Sequence, residues 1–209
     1  MSIIKKNSSK FFKINLFLIV VVFFLFSKVY LNAAENRAIL SVGNQDAKVT
    51  IKVFSSLTCP HCANFHNKIF QKLKKEFIDN NKVKYEHHGF PLDLAALNAE
   101  KILGCVESKD KKIKLLNDLY KSQDIWASGS DINSINDKLF KISNNFGLNN
   151  DKNNNCLNDQ NLEDEILNER INATKNYSIE STPTIFINEK RYKGEHNYQN
   201  FRNEILKFL

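Results

Sequence analysis

Lys48-Val-Thr-Ile-Lys-Val-Phe-Ser55, followed by Ser56-Leu57-Thr58 and then Cys59-Pro60-His61-Cys62, is the stretch on which the reading of this chain turns. Its first half is β-branched and partly alternating, as expected of a strand that ends in a polar turn. A helix is expected to begin at once. Pro60 suits the first helical position, where no backbone N–H is needed, and Phe65, Ile69, Leu73 and Phe77 then recur every four residues along one face. Cys59 falls at the N-cap and Cys62 one turn inside, a spacing that suits reversible disulfide chemistry.

The two sulfurs are predicted to differ. At the N-cap, Cys59 faces unpaired backbone N–H groups and the positive end of the helix dipole, so its thiolate is favoured and it is the expected nucleophile. Cys62 lies on the buried side next to Phe65, where a neutral thiol or a disulfide is preferred, and it is the expected resolving cysteine. His61 can donate a hydrogen bond to the Cys59 thiolate and, when protonated, adds a positive charge beside it. Stabilising the thiolate stabilises the reduced form and makes the disulfide more oxidising. Half of a zinc site, with His61 or His66 as further ligands, is the competing reading. It needs a second ligand pair, whereas Cys105 and Cys156 stand apart in sequence and His87-His88 lacks ligand spacing. A purely structural bridge is the other alternative, and one closing so short a loop restrains the unfolded chain little.

The N-terminus reads as an export segment. Lys5, Lys6, Lys10 and Lys13 precede an uninterrupted apolar run of eleven residues, Leu16 to Phe26, with Ala33-Ala34 before Glu35. Residues 1–34 are therefore expected to be a cleaved signal peptide or, if the apolar run extends past Lys28 through Leu31, an uncleaved anchor in the inner membrane. Either arrangement places the remainder in the periplasm. The net charge of +7 belongs largely to this segment: five of the 30 basic residues and none of the 23 acidic ones precede Glu35, leaving 25 against 23. That near balance gives no case for nucleic-acid binding. The remaining ~175 residues suit one globular domain with a real core. The Asn-rich stretch Asn144 to Asn161 reads as solvated loop.

A second strand is expected from Lys82 to His88, leading into Gly89-Phe90-Pro91-Leu92. Apolar residues at three and four spacings then predict helices near Leu94 to Glu107, Lys111 to Tyr120, Ile132 to Asn144 and Leu162 to Asn176. Strand signals return at Thr184 to Asn188 and Arg191 to Lys193, and Tyr198 to Leu209 closes the chain as an amphipathic helix. The expected order is β-α-β, a helical insert, then β-β-α. His87 and His88 alternate on a strand, so one should pack inward and the other face solvent. Trp126 is expected in the core.

With these pieces in place, the chain resembles the DsbA family of thioredoxin-fold oxidoreductases over nearly everything after Ala38. The resemblance rests on Cys59-Pro60-His61-Cys62 after Val53-Phe54-Ser55, on Phe90-Pro91-Leu92 leading into a helical insert, and on Ser181-Thr182-Pro183-Thr184 before a strand. It implies an α/β thioredoxin fold, residues 35–92 and 178–209, interrupted by an all-helical subdomain, 93–177. A proline before a strand is by itself compatible with an ordinary trans turn. The resemblance implies instead a cis Pro183 packed against the cysteine pair, with the Thr182 backbone available to an extended substrate segment. It further implies a monomeric oxidase of reduced, unfolded exported proteins, reoxidised by a quinone-linked membrane partner resembling DsbB, with no cofactor and no metal. An isomerase or reductase of the same fold, and a non-catalytic metal carrier or chaperone, are the alternatives.

Four cysteines allow three pairings, and closure of Cys59 with Cys62 leaves Cys105 with Cys156. Some family members carry a comparable bridge in the helical insert; two buried free thiols are the alternative. A bridge here would close a loop of about 50 residues, worth roughly 4 kcal/mol. The chain departs from the family at Val53, where many members place a buried glutamate thought to help move the resolving cysteine's proton.

Overall fold

The computed structural model describes Arg37 and residues 39–209, so the expected signal or anchor segment lies outside the described residues. Strand β1 (Ile39–Gly43) is followed by β2 (Val49–Ser55), a long helix α1 (60–78), and β3 (Val83–Gly89). Six α-helices and one 3-10 turn (Asn144–Phe146) intervene before the next strand: α2 (Leu94–Cys105), α3 (Lys109–Lys121), the single turn α4 (Gln123–Trp126), α5 (Ile132–Ser143), α6 (Asn150–Leu157) and α7 (Gln160–Tyr177). The chain then returns through β4 (Thr184–Ile187) and β5 (Lys190–Arg191) to α8 (Tyr198–Leu206). The five strands form one sheet in the order β1-β3-β2-β4-β5. Only β2 and β3 run parallel, joined through α1 as a parallel pair requires.

Helix α1 explains its own sequence pattern. Four-residue steps on an α-helix drift by about 40° each, which would carry Phe77 away from the face that Phe65 occupies. Two π-helical turns, His66–Phe70 and Lys74–Ile78, take up that drift. All four apolar residues therefore stay buried against the sheet, packed with Val49, Ile51, Val53 and the α8 residues Phe201 and Ile205. On the sheet's other face, Phe54, Phe90 and Phe186 are covered by Ala173 and Tyr177 of α7.

Three expectations are corrected. Strand β1 is absent from the expected order; it pairs antiparallel with β3 as a five-residue edge, too short for its alternation to stand out from a loop. It ends at Gly43, φ +91°, where a Cβ would lie 2.3 Å from the Val83 carbonyl oxygen. The Asn-rich stretch is not all loop. Asn149 caps α6 by accepting from the Lys152 N–H, and buried Asn153 hydrogen-bonds Ser143 Oγ at 2.8 Å, so these asparagines do structural work that composition hides. Finally, His88 is not solvated. Both histidines are buried, because α7 covers the face to which His88 points and offers it Glu169, 2.7 Å away. Trp126 is fully buried and donates to the Leu119 carbonyl oxygen at 2.7 Å.

Candidate active site

The site forms where β2 ends. After Ser55 the chain turns, the Cys59 N–H donating to the Ser56 carbonyl oxygen at 3.2 Å. Cys59 then caps α1 with extended backbone (φ −81°, ψ 120°), and Pro60 starts the helix. Antiparallel pairing of β4 with β2 sets Phe54 opposite Thr184, so the residues just before β4 arrive beside the turn. There the Thr182–Pro183 bond is cis, and the Cys59 thiol donates to the Thr182 carbonyl oxygen at 3.3 Å. The structure thus brings Cys59, Cys62, Thr182 and Pro183 together. His61 is solvent-exposed on the outer side of the first helical turn.

Cys59 and Cys62 are unbridged and both buried, Cys59 at 8% exposure and Cys62 wholly, but their sulfurs meet different partners. The Cys59 thiol is pulled down to about 5, chiefly by the hydrogen bond from the Cys62 S–H, with further help from the Thr182 side chain and the backbone N–H groups of Cys62 and His61, while burial opposes the shift. The Thr182 carbonyl favours the neutral thiol it accepts from, but the donors on the helix side outweigh it. Thr182 Oγ1 is buried without a hydrogen-bond partner, so its proton is available to a thiolate. Cys62 is pushed far above the usual thiol range, first by burial and then by its donation to Cys59. His61 contributes through its backbone N–H to the sulfur.

Behind Cys62 lies a polar layer that neighbouring positions in sequence do not announce. Ser55 Oγ faces the Cys62 sulfur and shares a 2.6 Å hydrogen bond with Tyr120 Oη from α3. Val53 pairs with His87 across β2 and β3, and His87 Nε2 lies 3.0 Å from Glu100 Oε1 of α2, both side chains almost fully buried. A buried carboxylate is therefore present although β2 supplies none. Its charge, together with that of Cys62, raises the Tyr85 and Tyr120 hydroxyls, for which burial is the larger cause. His66 stacks on Phe70 and Tyr120 and is held neutral by burial, at about 3, with Nε2 2.7 Å from Asn117 Oδ1.

The helices between β3 and β4 also grip the turn from outside. Gln123 Nε2 donates to the Leu57 and Cys59 carbonyl oxygens at 2.7 and 3.1 Å, and Thr58 Oγ1 donates to Asp93 Oδ2 at 2.7 Å. Cys105 and Cys156 are bridged, Cα atoms 6.1 Å apart, tying the end of α2 to α6. Among the described residues no three His, Cys, Asp or Glu side chains are gathered as a metal-ligand set. Ser55, Glu100, Tyr120 and Gln123 escaped the sequence reading. Only Ser55 had a usable signal, a hydroxyl at the end of the strand that leads to Cys59.

A family model described as Thioredoxin matches residues 35–207. Disulfide bond formation protein D of Bacillus subtilis is 30% identical over 178 residues, covering 80% of this chain and 76% of that one. A Rickettsia bellii protein, provisionally named a protein-disulfide oxidoreductase, is 29% identical over 161 residues, 77% of this chain; the match spans only 60% of that relative's length. Among solved structures, Wolbachia pipientis alpha-DsbA1 superposes with a TM-score of 0.75 at 29% identity, covering 86% of this chain and 94% of that one. A cysteine pair with opposed acidities, a facing cis-proline loop and these relatives lead to one assignment: the chain belongs to the thioredoxin family, in its DsbA-like branch.

Proposed function

We propose that the protein is a periplasmic dithiol oxidase that forms disulfide bonds in exported proteins through Cys59 and Cys62. The observation that carries this reading is the opposition of the two thiols, one held near 5 and the other pushed far up. A substrate thiolate attacks the Cys59 sulfur of the oxidised pair, and a mixed disulfide forms as the Cys59–Cys62 bond breaks. Cys62 leaves as a thiolate and takes up a proton, as its burial demands. The substrate's second thiolate then attacks its own sulfur in the mixed disulfide, and Cys59 departs as a stabilised anion. Two electrons have passed from the substrate to the protein. A quinone-linked membrane partner of the DsbB kind removes them.

Glu100 with His87 is the titratable pair through which Cys62's proton passes, by way of the Ser55 and Tyr120 hydroxyls; its support is the shared electrostatic reach of Glu100 and Cys62 onto both tyrosines. Thr182, beside Cys59 and two residues before β4, offers backbone to an extended substrate strand, a mode of pairing that reads little sequence. A periplasmic setting is supported by the Cys105–Cys156 bridge, which an oxidising compartment preserves, and by the charge and apolar pattern of residues 1–34. No helix among the described residues is long and apolar enough to cross a membrane. The test is trapping. Cys62→Ala carrying glutathione as a mixed disulfide on Cys59 should pass that bond to a reduced exported protein with a single thiol, releasing glutathione and accumulating a Cys59–substrate disulfide that nothing resolves. Cys59→Ser should form none and lose all oxidase activity; retained activity in Cys59→Ser would overturn the proposal.

A further inference from the structure

Cys59 owes its reactivity to which atoms its sulfur faces, and that depends on how the turn Ser56-Leu57-Thr58 is held. On the helix side the sulfur meets the Cys62 S–H and the backbone N–H groups of Cys62 and His61; on the loop side it meets the Thr182 carbonyl oxygen and hydroxyl. A small swing of the turn toward Thr182 would trade the Cys62 S–H and two backbone N–H donors for one hydroxyl and a carbonyl acceptor, and so disfavour the thiolate. Leu57 is fully buried, and the hydrogen bond from Gln123 is the one its carbonyl oxygen receives among the described residues. The same amide nitrogen reaches the Cys59 carbonyl oxygen, which also accepts the Ala63 N–H that opens α1. A single side chain therefore fixes the Leu57–Thr58 and Cys59–Pro60 peptide planes, which bracket the Thr58–Cys59 peptide.

Gln123 is itself rigidly mounted. It is buried and opens the one-turn helix α4, whose other end is Trp126, fully enclosed and hydrogen-bonded to Leu119. The second tether on the turn, Thr58 to Asp93, is exposed and so contributes less. We propose that Gln123 is a positioning residue for the thiol-disulfide reaction: by clamping the Leu57 and Cys59 carbonyls from the inserted helices, it keeps the Cys59 sulfur on the donor side of the turn. The helices between β3 and β4 thereby tune the nucleophile without touching it. This rests on Cys59 being the nucleophile.

Gln123→Met keeps the length and bulk of the side chain and removes its donors. The expected result is a rise of about one unit in the Cys59 thiolate titration, followed at 240 nm, and a roughly tenfold loss of oxidising power in equilibrium with glutathione at pH 7. The unfolding midpoints of the oxidised and reduced forms should then shift unequally, the reduced form losing more. A purely structural role would lower both midpoints equally and leave titration and glutathione equilibrium within twofold of wild type, and that outcome overturns the proposal. Gln123→Ala, in which water can take over the two carbonyls, carries the same test should the methionine variant fail to fold, with a smaller shift in the same direction. If the wild-type protein does not exchange with glutathione through Cys59, the proposed function fails; if it does and the variants match it, only the role of Gln123 fails.

Discussion

Lowering the pH from 8 to 6 should weaken the reduced protein relative to the oxidised one, because only the reduced form carries the Cys59 thiolate. Cys59 titrates near 5 in the folded dithiol against an ordinary value of 9.0. A depressed acidity of this kind contributes stability that is fully present above the unfolded value and is lost as pH falls through the folded one. The window is therefore pH 9 down to pH 5. Within it the contribution changes by about 1.4 kcal/mol per pH unit, leaving about 3 kcal/mol at pH 7 and almost none below 5. Cys59 as a residue is 8% exposed, but its sulfur is less enclosed than that of Cys62, and solvent screening trims these figures accordingly. Cys62 acts with the opposite sign and elsewhere: raised in the folded state, it subtracts stability only above about pH 9, where the unfolded thiol ionises. Every other titrating group is common to both redox forms and cancels in their difference. Urea unfolding of both forms at pH 5, 6, 7 and 8, with thiolate absorbance at 240 nm, measures it. A stability difference that stays flat across the window, with absorbance rising only near pH 9, would refute the reasoning.

Removing the second bridge with Cys105→Ala and Cys156→Ala should cost about 4 kcal/mol of unfolding free energy, given its sequence separation of 51, while leaving the Cys59 titration in place. His88 is buried between Glu169 and Glu86, and although burial lowers its basicity, the two carboxylates raise it above the ordinary value. Its contribution is present in full below the unfolded value and lost as pH rises through the folded one, so His88→Asn should cost about 3 kcal/mol at pH 6 and less at pH 9, as read from unfolding midpoints. Glu100→Gln should slow reduction of the Cys59–Cys62 disulfide by roughly tenfold or more in stopped-flow measurements at pH 7, with a smaller effect on the redox equilibrium itself.

The cysteine pair and the helix it opens were legible because strand, polar turn, N-cap cysteine and Pro60 are consecutive, and local chemistry alone orders them. Even the four-residue spacing of Phe65 to Phe77 was informative, although the π-helical turns that rationalise it are visible only in the folded backbone. Contacts made by distant segments were not legible. Gln123 sits 64 residues from Cys59 along the chain, and Tyr120 sits 65 from Ser55; each looks like an ordinary helical residue until α3 and α4 pack against the end of β2. Val53 pointed to a missing acid, but strand pairing had to place His87 beside it before Glu100 of α2 could be found. The same applies to the His87-His88 pair, whose alternation placed one of the two in solvent, whereas His88 meets a helix that begins some 70 residues later.

The reduction potential of the Cys59–Cys62 pair, measured by equilibration with glutathione at pH 7, tests the central claim most directly. A thiolate held near 5 beside a buried partner predicts an oxidising couple, in the direction of the value of about −120 mV that belongs to DsbA itself. A potential near that of thioredoxin, about −270 mV, would contradict an oxidase and show that the helix-side donors do not stabilise the reduced form as the geometry requires.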